Sequence, residues 1–364
     1  MSDTNTDAPK FLVDPYLTWV RGEGVPVYED FGFDLLSLEL RPWARMDALG
    51  AYAHAHGRGD FVNMYVCEIA PGGQTAPQRH LFEEVVYVLA GRGSTTVELD
   101  GEERSFEWGT GSLFALPLNA SYRHFNGSGR EPARFVSTTN LPLVMNVFRD
   151  QDFIWSNGYT FRGRFGQPDH YKGEGTFLPL RPGRHMWETN FVPDLRTFKL
   201  ETWQARGAGG SNIMFVLADG TMHAHISEMP VGTYKKGHRH GSDFHVFAVT
   251  GEGYSLYWYE GEKELRRFDW KHGSIFAPTD MLFHQHFNVS PEPARYLAVA
   301  FGGLRYPTLA DKRKTYLGMD VSVKEGGRQI EYEDEDPRIR EIYEAELRKK
   351  GIPSRMDEVL APSR

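Results

Sequence analysis

The hydrophobic and polar positions of this chain fall mainly into short runs that are separated by turn residues. The runs 64–69, 85–89, 94–99 and 112–116 are rich in β-branched and aromatic side chains, and Gly, Pro or the pair Asp100–Gly101 stand between such runs. Runs of this length and composition predict β-strands joined by tight turns. The pattern therefore favours an all-β protein from about position 61 onward.

A helical period appears near the C-terminal end. Ile339, Ile342, Tyr343 and Leu347 fall on one face of a helix, which predicts an amphipathic helix over 336–350. Gly351 then fits the position that ends it. The acidic run in front of this helix, 331–336, is interpreted as its solvated entry.

The order of the strand-like runs occurs twice. The segments 111–115 and 124–126 match 273–277 and 286–288 at a shift of 162 positions (273 − 111). Upstream, Gln78-Arg79-His80 aligns with His238-Arg239-His240 at a shift of 160 (238 − 78). Two copies of one unit predict two packed β domains rather than a solenoid.

These patterns divide the chain into five parts. We expect an aromatic N-terminal arm, a first barrel, a connecting segment, a second barrel, and a C-terminal tail that holds the helix. Their predicted bounds are 1–60, 61–148, 149–210, 211–305 and 306–364. The arm carries Trp19 and Trp43, which are expected to cover an open sheet edge in an oligomer.

Composition and charge argue against several classes of protein. The net charge is -8 and the cationic residues are scattered, which argues against a nucleic-acid partner. No apolar run is long enough to span a membrane, and residues 1–10 lack the apolar core of a secretory signal. A single cysteine, Cys67, fits a reducing compartment. A cytoplasmic location is therefore expected.

Histidines supply the clearest chemistry. His238 and His240 are separated by one residue, so an extended segment turns both imidazoles to the same side. A third histidine from a later strand, in 284–286, completes a set of three nitrogen donors. Imidazole suits Fe, Ni, Cu, Zn and, less strongly, Mn, and three protein ligands leave open positions on the ion.

The motifs resemble those of the cupin family, whose barrel carries one His-x-His…Glu…Gly motif and one motif that ends His-x3-Asn. Both copies resemble it, over about 60–141 and 212–303, so the resemblance implies two cupin (double-stranded β-helix or jelly-roll) barrels in one chain. In the second copy His238, His240 and His284 occupy the three histidine positions of the family. In the first copy Gln78 and Tyr122 replace two of them, which implies a degenerate site.

The acid position of the second copy has two readings. Counting back from Gly251 places Phe244 there, aligned with Glu84, whereas counting forward from His240 places His245 there. A strand turns these neighbours to opposite faces, so His245 reaches the metal only through a bulge. We expect three histidine ligands with Phe244 as a hydrophobic wall, and His245 remains open as a fourth ligand or catalytic group.

Other polar residues have undecided roles. His286 shares a face with His284 and is a candidate acid, base or substrate anchor. His223 and His225 point either into the second barrel or outward. Further residues of this kind are Glu228, Tyr257 and Tyr259, while His54 and His56 are interpreted as surface or interface residues.

The string from His238 to Gly253 is most similar to the gentisate 1,2-dioxygenase branch of the double cupins. That resemblance implies a non-haem Fe(II) dioxygenase acting on a small anionic hydroxy-aromatic acid with O2, although Mn, Ni or Zn also suit the ligands. A redox-neutral decarboxylase, lyase or isomerase is the alternative, followed by a non-enzymatic binding protein. Double cupins commonly pair, so a homodimer or a larger symmetric oligomer is expected.

Overall fold

The structure is a computed structural model that describes residues 14–181, 184–241, 244–302 and 320–360. The first ten residues, in which no signal pattern was expected, and the start of the predicted tail at 306–319 lie outside these ranges. Within them the fold is mostly β, as predicted, and no helix is long and apolar enough to cross a membrane.

The strands and helices have the following bounds. In chain order the strands are β1 (Val27–Asp30), β2 (Gly32–Asp34), β3 (Arg41–Trp43), β4 (Ala48–Ala55), β5 (Asn63–Ile69), β6 (Glu84–Ala90), β7 (Arg92–Leu99), β8 (Glu102–Gly109), β9 (Leu113–Ala115), β10 (Ser121–Asn126), β11 (Ala133–Thr139), β12 (Thr176–Arg181), β13 (Arg184–Thr189), β14 (Phe191–Val192), β15 (Glu201–Thr202), β16 (Ser211–Leu217), β17 (Met222–Met229), β18 (His245–Thr250), β19 (Gly253–Trp258), β20 (Arg266–Trp270), β21 (Ser274–Phe276), β22 (Phe283–Asn288) and β23 (Ala294–Phe301). The helices are α1 (Pro15–Gly22), α2 (Leu141–Phe148), α3 (Gln151–Trp155), α4 (Pro337–Lys350) and α5 (Met356–Leu360).

Two barrels share one strand order. The first joins strands in the order β4-β5-β11-β6-β9 in a large sheet and β10-β7-β8 in a small one. The second repeats this as β16-β17-β23-β18-β21 and β22-β19-β20. The small sheets show alternating burial, as in β10, and Asp100–Gly101 forms the turn between β7 and β8 with positive φ at both residues.

The large sheets of the two barrels pack against each other. Tyr87 of the first barrel lies 5.9 Å from Phe247 of the second, measured between ring centres. Val85, Leu113 and Leu297 belong to the same buried cluster, which draws residues from both barrels. Because the large sheets are covered on both faces, their central strands are almost continuously apolar.

The segments in front of the two barrels are exchanged between them. In the arm, β1 pairs in parallel with β4 of the first barrel, but β2 pairs with β21 of the second. The connecting segment does the reverse, because β13 pairs with β16 of the second barrel and β14 with β9 of the first. The internal repeat therefore includes the arm and the connecting segment, which the sequence comparison treated as separate parts.

One repeated arginine fastens each exchanged segment. Arg134 binds Glu68 and donates to the carbonyls of Leu35 and Leu36 in the arm, at 3.0 and 2.8 Å. Arg295 occupies the equivalent place in the second barrel. It binds Glu228 and donates to the carbonyls of Leu195 and Phe198 in the connecting segment. Each arginine thus joins a barrel to a segment that also pairs with the other barrel.

The tryptophans of the arm are buried within their own chain. Trp19 stacks on Trp155 at 4.9 Å, and Trp43 packs edge-on against Tyr65 at 5.1 Å. Both indoles are more than nine-tenths buried. The expectation that they cover a partner's sheet edge is therefore corrected, since the first barrel already uses them; the oligomeric state stays a prediction.

The C-terminal helix has the predicted position. Asp336 caps α4 by accepting a hydrogen bond from the Arg338 amide, and Gly351 ends the helix with a φ of 67°. Ile339, Tyr343 and Leu347 are buried against the second barrel. The acidic entry is not simply solvated, because Glu335 accepts hydrogen bonds from the side chains of Tyr234 and Gln285.

Candidate metal centre

Three histidine side chains converge inside the second barrel. His238 and His240 lie in the loop between β17 and β18, and His284 lies on β22, where a β-bridge pairs it with His238. One ring nitrogen from each side chain lies within 4.8 Å of the other two. Among the described residues this is the one group of three or more His, Cys, Asp or Glu side chains with such geometry.

Backbone carbonyls orient all three rings. Nδ1 of His240 lies 2.7 Å from the Gly241 carbonyl, that of His284 lies 3.0 Å from the Leu282 carbonyl, and that of His238 lies 3.3 Å from the Lys236 carbonyl. A carbonyl oxygen only accepts, so each Nδ1 carries the proton and each Nε2 keeps its lone pair for the interior. This fixed tautomer is the one that a metal-ligating histidine needs.

Burial keeps these rings neutral. It lowers the pKa of His240 to about 4, and it lowers the pKa of His238 and His284 well below the ordinary value, with the neighbouring cationic groups adding to the effect. A neutral imidazole has a lone pair available at neutral pH. The donor set therefore fits a divalent ion of the type that imidazole prefers.

The acid position of the second barrel holds Phe244. Its ring lies 4.3 Å from that of His240, as the count from Gly251 predicts. His245, the next residue, is fully buried on β18 and contributes to lowering the pKa of His54, which belongs to the first barrel. Strand alternation thus puts His245 on the face opposite to Phe244, and its role as a fourth ligand or catalytic group stays a prediction.

His286 has a structural counterpart, His124, in the first barrel. Its Nδ1 lies 2.9 Å from Ser255 Oγ, which also accepts a hydrogen bond from the Trp270 indole at 3.1 Å. His124 of the first barrel makes the same contacts with Thr95 and Trp108. Since this arrangement also occurs in a barrel without three converging histidines, the Nδ1 contact is a feature of the fold, and the predicted acid–base role of His286 stays a prediction.

The first barrel fills the equivalent position with a hydrogen-bonded network. Glu84 accepts hydrogen bonds from the hydroxyls of Tyr65 and Tyr122, and Tyr122 Oη lies 2.9 Å from His80 Nε2. The amide of Gln78 turns to backbone carbonyls at 2.9 and 3.2 Å. In the described part of this barrel the polar groups therefore satisfy one another instead of facing a shared ligand.

The three histidines border a small cavity of about 40 Å³. His223 and His225 also line it, so both point into the second barrel, and their rings lie 5.9 and 6.3 Å from that of Phe244. The remaining sequence candidates lie elsewhere. Glu228 pairs with Arg295, Tyr257 stacks on Phe31, Tyr259 is exposed, His56 is exposed, and His54 is buried on the hydroxyl of Tyr16.

A buried arginine, which sequence reasoning missed, completes the cavity wall. Arg206 is 7 % exposed, and its Nη1 is buried without a hydrogen-bond partner. Burial lowers its pKa, while Tyr296 and Asp320 act in the opposite direction. No acidic side chain occurs among the described residues that line the cavity. The cavity therefore presents a positive charge with an unused donor.

A lysine and a tyrosine lie beside this arginine. Lys235 is 2 % exposed, and its Nζ lies 4.8 Å from the centre of the Tyr296 ring, which lines the cavity. These residues are far apart in sequence, and only barrel closure brings them together. One signal was available: the equivalent residues of the first copy are Met46, Thr75 and Phe135, so three ionisable groups appear only in the copy with the histidines.

Comparison with known proteins agrees with this architecture. Residues 65–139 match the family model for the cupin domain. Since the second barrel repeats the strand order of the first, the fold is that of a double cupin, and this part of the sequence-based resemblance is confirmed. The comparison with curated proteins gives no match.

Two similar solved structures are oxalate decarboxylases. The enzyme from Bacillus subtilis aligns with a TM-score of 0.48 and 13% identity over 75% of this chain and 77% of that one. The enzyme from Lactobacillus farciminis, in a formate complex, aligns with a TM-score of 0.49 and 14% identity over 75% and 86%. These values are low, so neither a metal nor a substrate is transferred from them. The matches give no support to the gentisate 1,2-dioxygenase branch.

Proposed function

We propose that the second barrel binds one divalent metal ion through His238, His240 and His284 and acts as an enzyme on a small carboxylate. The observation that carries this proposal is the convergence of the three rings, each with its Nδ1 against a backbone carbonyl. A carbonyl oxygen only accepts, so Nε2 is the nitrogen of each ring that remains for an ion, and one ring nitrogen of each side chain lies within 4.8 Å of the other two. A bound ion would supply Lewis-acid character and open positions for a substrate.

The ligand set supports a group of metals rather than one. Three imidazoles suit Fe(II), which the resemblance to ring-cleaving cupins implies, and also Zn and Ni, while they suit Mn less strongly. Phe244 occupies the position at which the first barrel has Glu84, so the described residues offer no carboxylate ligand at that place. Three neutral ligands leave the full charge of the ion to attract an anion.

The cavity supports a small anionic substrate. Arg206 adds a second positive charge with an unpaired donor, and a guanidinium binds carboxylates well. A buried water molecule needs about 10 to 15 Å³ of cavity volume. The cavity of about 40 Å³ therefore has room for roughly three water molecules. This size favours a short carboxylate over the hydroxy-aromatic acid that the sequence resemblance implies.

Redox-neutral chemistry is the reaction class that we favour. The wall of the cavity carries Tyr296, a group able to transfer protons, and its contact with Lys235 suits that use. Decarboxylation, elimination and isomerisation all need such a group. The oxygenase remains a second candidate because three neutral ligands leave room for both an anion and O2 on the ion.

The metal site is tested by elemental analysis of the purified protein. We expect about one ion per chain, lost in His284→Ala. The matched control is His286→Ala, which removes a neighbouring ring that is held by Ser255 and is expected to keep the ion. Two ions per chain, or retention of the ion after His284→Ala, would show that the ligands are wrong.

The reaction class is tested with the metal-loaded protein and a panel of short carboxylates, among them acetate, glycolate, malonate and oxalate, together with gentisate and salicylate. Turnover that continues without O2 supports the redox-neutral class. Turnover that stops without O2, with stoichiometric O2 consumption, supports the oxygenase. The absence of binding by every acid would refute a carboxylate substrate while leaving the metal site intact.

A further inference from the structure

We infer that Tyr296 is the residue that exchanges a proton with the substrate, and that Lys235 holds its phenol oxygen ready for this role. The inference rests on the proposed function, because the substrate is taken to occupy the cavity beside the three histidines. Tyr296 lies on β23 and its side chain lines that cavity. Lys235 lies behind it and does not itself line the cavity.

The first barrel provides an internal comparison. Register pairs Tyr296 with Ser227 in the second barrel and Phe135 with Cys67 in the first. The amide of Lys235 donates to the His286 carbonyl, as the amide of Thr75 does to the His124 carbonyl. The tyrosine, its hydroxyl partner and the lysine are thus all absent from the barrel that lacks the three histidines, although His286 and its serine have counterparts there.

Local contacts single out the phenol oxygen of Tyr296. Lys235 Nζ lies 4.8 Å from the centre of the Tyr296 ring, Ser227 is the partner of this tyrosine on the neighbouring strand, and Lys235 is almost fully buried. A buried ammonium needs a compensating partner, and a phenolate oxygen supplies one. Burial alone raises the pKa of Tyr296, but Lys235, the Ser227 hydrogen bond and Arg206 together outweigh burial and lower it.

The two cationic groups beside Tyr296, Lys235 and Arg206, both lower its pKa. Arg206 approaches from the connecting segment and Lys235 from the loop after β17. His286 on β22 lies 4.9 Å away between ring centres, and His225 on β17 lies 6.3 Å away. Burial lowers the pKa of His286 to about 3, so that ring is neutral. The surroundings therefore favour the ionised phenol.

The proton step balances without a further reactant. The phenolate oxygen of Tyr296 accepts a proton from a C–H or O–H bond next to the bound carboxylate, and the electron pair of that bond stays on the substrate. Lys235 keeps its proton throughout and offsets the charge that moves off the tyrosine. Tyr296 then returns the proton to the product, so no oxidant is consumed.

The first experiment is a titration of the metal-free protein, followed by the ultraviolet absorbance of tyrosinate. We expect one tyrosinate per chain to form ahead of buried tyrosines such as Tyr254, whose pKa burial raises. Tyr296→Phe removes this first ionisation, and Lys235→Met moves it up by about one pH unit or more. Tyr254→Phe is the matched control and leaves it unchanged. Equal titration curves for Tyr296→Phe and the parent protein would overturn the inference.

The second experiment measures kcat and KM on whichever carboxylate of the panel the metal-loaded protein turns over. Tyr296→Phe is expected to lower kcat by about 100- to 10,000-fold with little change in KM, while the metal content stays at the parent value. An unchanged kcat would overturn the inference and leave the proposed function standing. If no carboxylate is turned over although the ion is bound, the proposed function fails first and the assignment of a proton-transfer role fails with it.

Discussion

Replacing Arg206, whose guanidinium is buried, is expected to weaken ligand binding without lowering the stability of the protein. Its Nη1 has no hydrogen-bond partner, and the equivalent residue of the first barrel is Met46, which is 2 % exposed. Arg206→Met therefore replaces a poorly compensated charge with a side chain that the same fold already accommodates elsewhere. We expect the variant to be at least as stable as the parent protein and to bind anions more weakly.

The expected changes in the free energy of unfolding and in Kd follow from the contacts of Arg206. Exchanging a buried charge for a well-packed apolar side chain is often neutral or stabilising, by about 0 to 4 kcal/mol. The carboxylate of a bound anion would make one or two hydrogen bonds to the guanidinium, each between charged groups and worth about 1.5 to 3 kcal/mol. Losing one of them corresponds to about a 10- to 150-fold rise in Kd.

Both quantities are measurable on the same samples. Denaturant unfolding gives the free energy of unfolding, and calorimetric titration of malonate into the metal-loaded protein gives Kd. Arg206→Lys is the control, because it keeps the charge but loses the planar pair of donors. A loss of more than about 1 kcal/mol in Arg206→Met would show that the guanidinium stabilises the fold, contrary to what its unpartnered Nη1 predicts. An unchanged Kd would show that the anion does not reach it.

Three further changes test other parts of the molecule. Tyr343→Phe removes a buried hydroxyl that donates to the carbonyls of Thr233 and Asn288 at 3.0 and 2.8 Å, and should lower the free energy of unfolding by about 1 to 3 kcal/mol; an unchanged unfolding midpoint would contradict this. Burial raises the pKa of Glu84, but the contact with His80 and the Tyr122 hydrogen bond outweigh burial and lower the pKa from 4.5 to about 2. Ionised Glu84 therefore adds about 3 kcal/mol at most to the free energy of unfolding. This contribution is present above pH 4.5 and is lost as the pH falls to about 2. Glu84→Gln should flatten stability against pH in that window, and an acid-unfolding curve parallel to the parent's would refute it. Phe244→Glu, which introduces the acid of the first barrel, should tighten metal binding and weaken malonate binding, and calorimetry showing malonate affinity unchanged would speak against the charge argument.

Some features of this fold were accessible from sequence because they are local. The turn at Asp100–Gly101, the helix that ends at Gly351 and the convergence of His238 with His240 each depend on residues that are neighbours in the chain. The internal repeat added one comparison between distant residues, since aligning the two copies showed that Gln78 stands where the second copy has His238.

Other features were not accessible because they depend on how distant segments meet. The exchanged strands β2 and β14 have three and two residues, which is too short for any periodicity to show. Arg206 and Tyr296 lie 90 positions apart (296 − 206) and approach only when the barrel closes. The role predicted for His245 stays a prediction, because one step along a strand reverses the face and only a bulge would bring this residue to the metal site.

Because of the exchanged segments, a fragment that contains only one barrel lacks a strand that pairs with that barrel. A gene fragment that begins at position 211 would encode a second barrel without Gly32–Asp34, so the edge of β21 would be left unpaired and open to other chains. A fragment that ends at 148 would leave β9 without Phe191–Val192 in the same way. We therefore expect neither half to fold as an independent module, and a substitution in one barrel is expected to shift the unfolding of both. The first barrel therefore has a structural task that does not depend on three converging histidines, because the segment in front of it also completes the sheet of the second barrel.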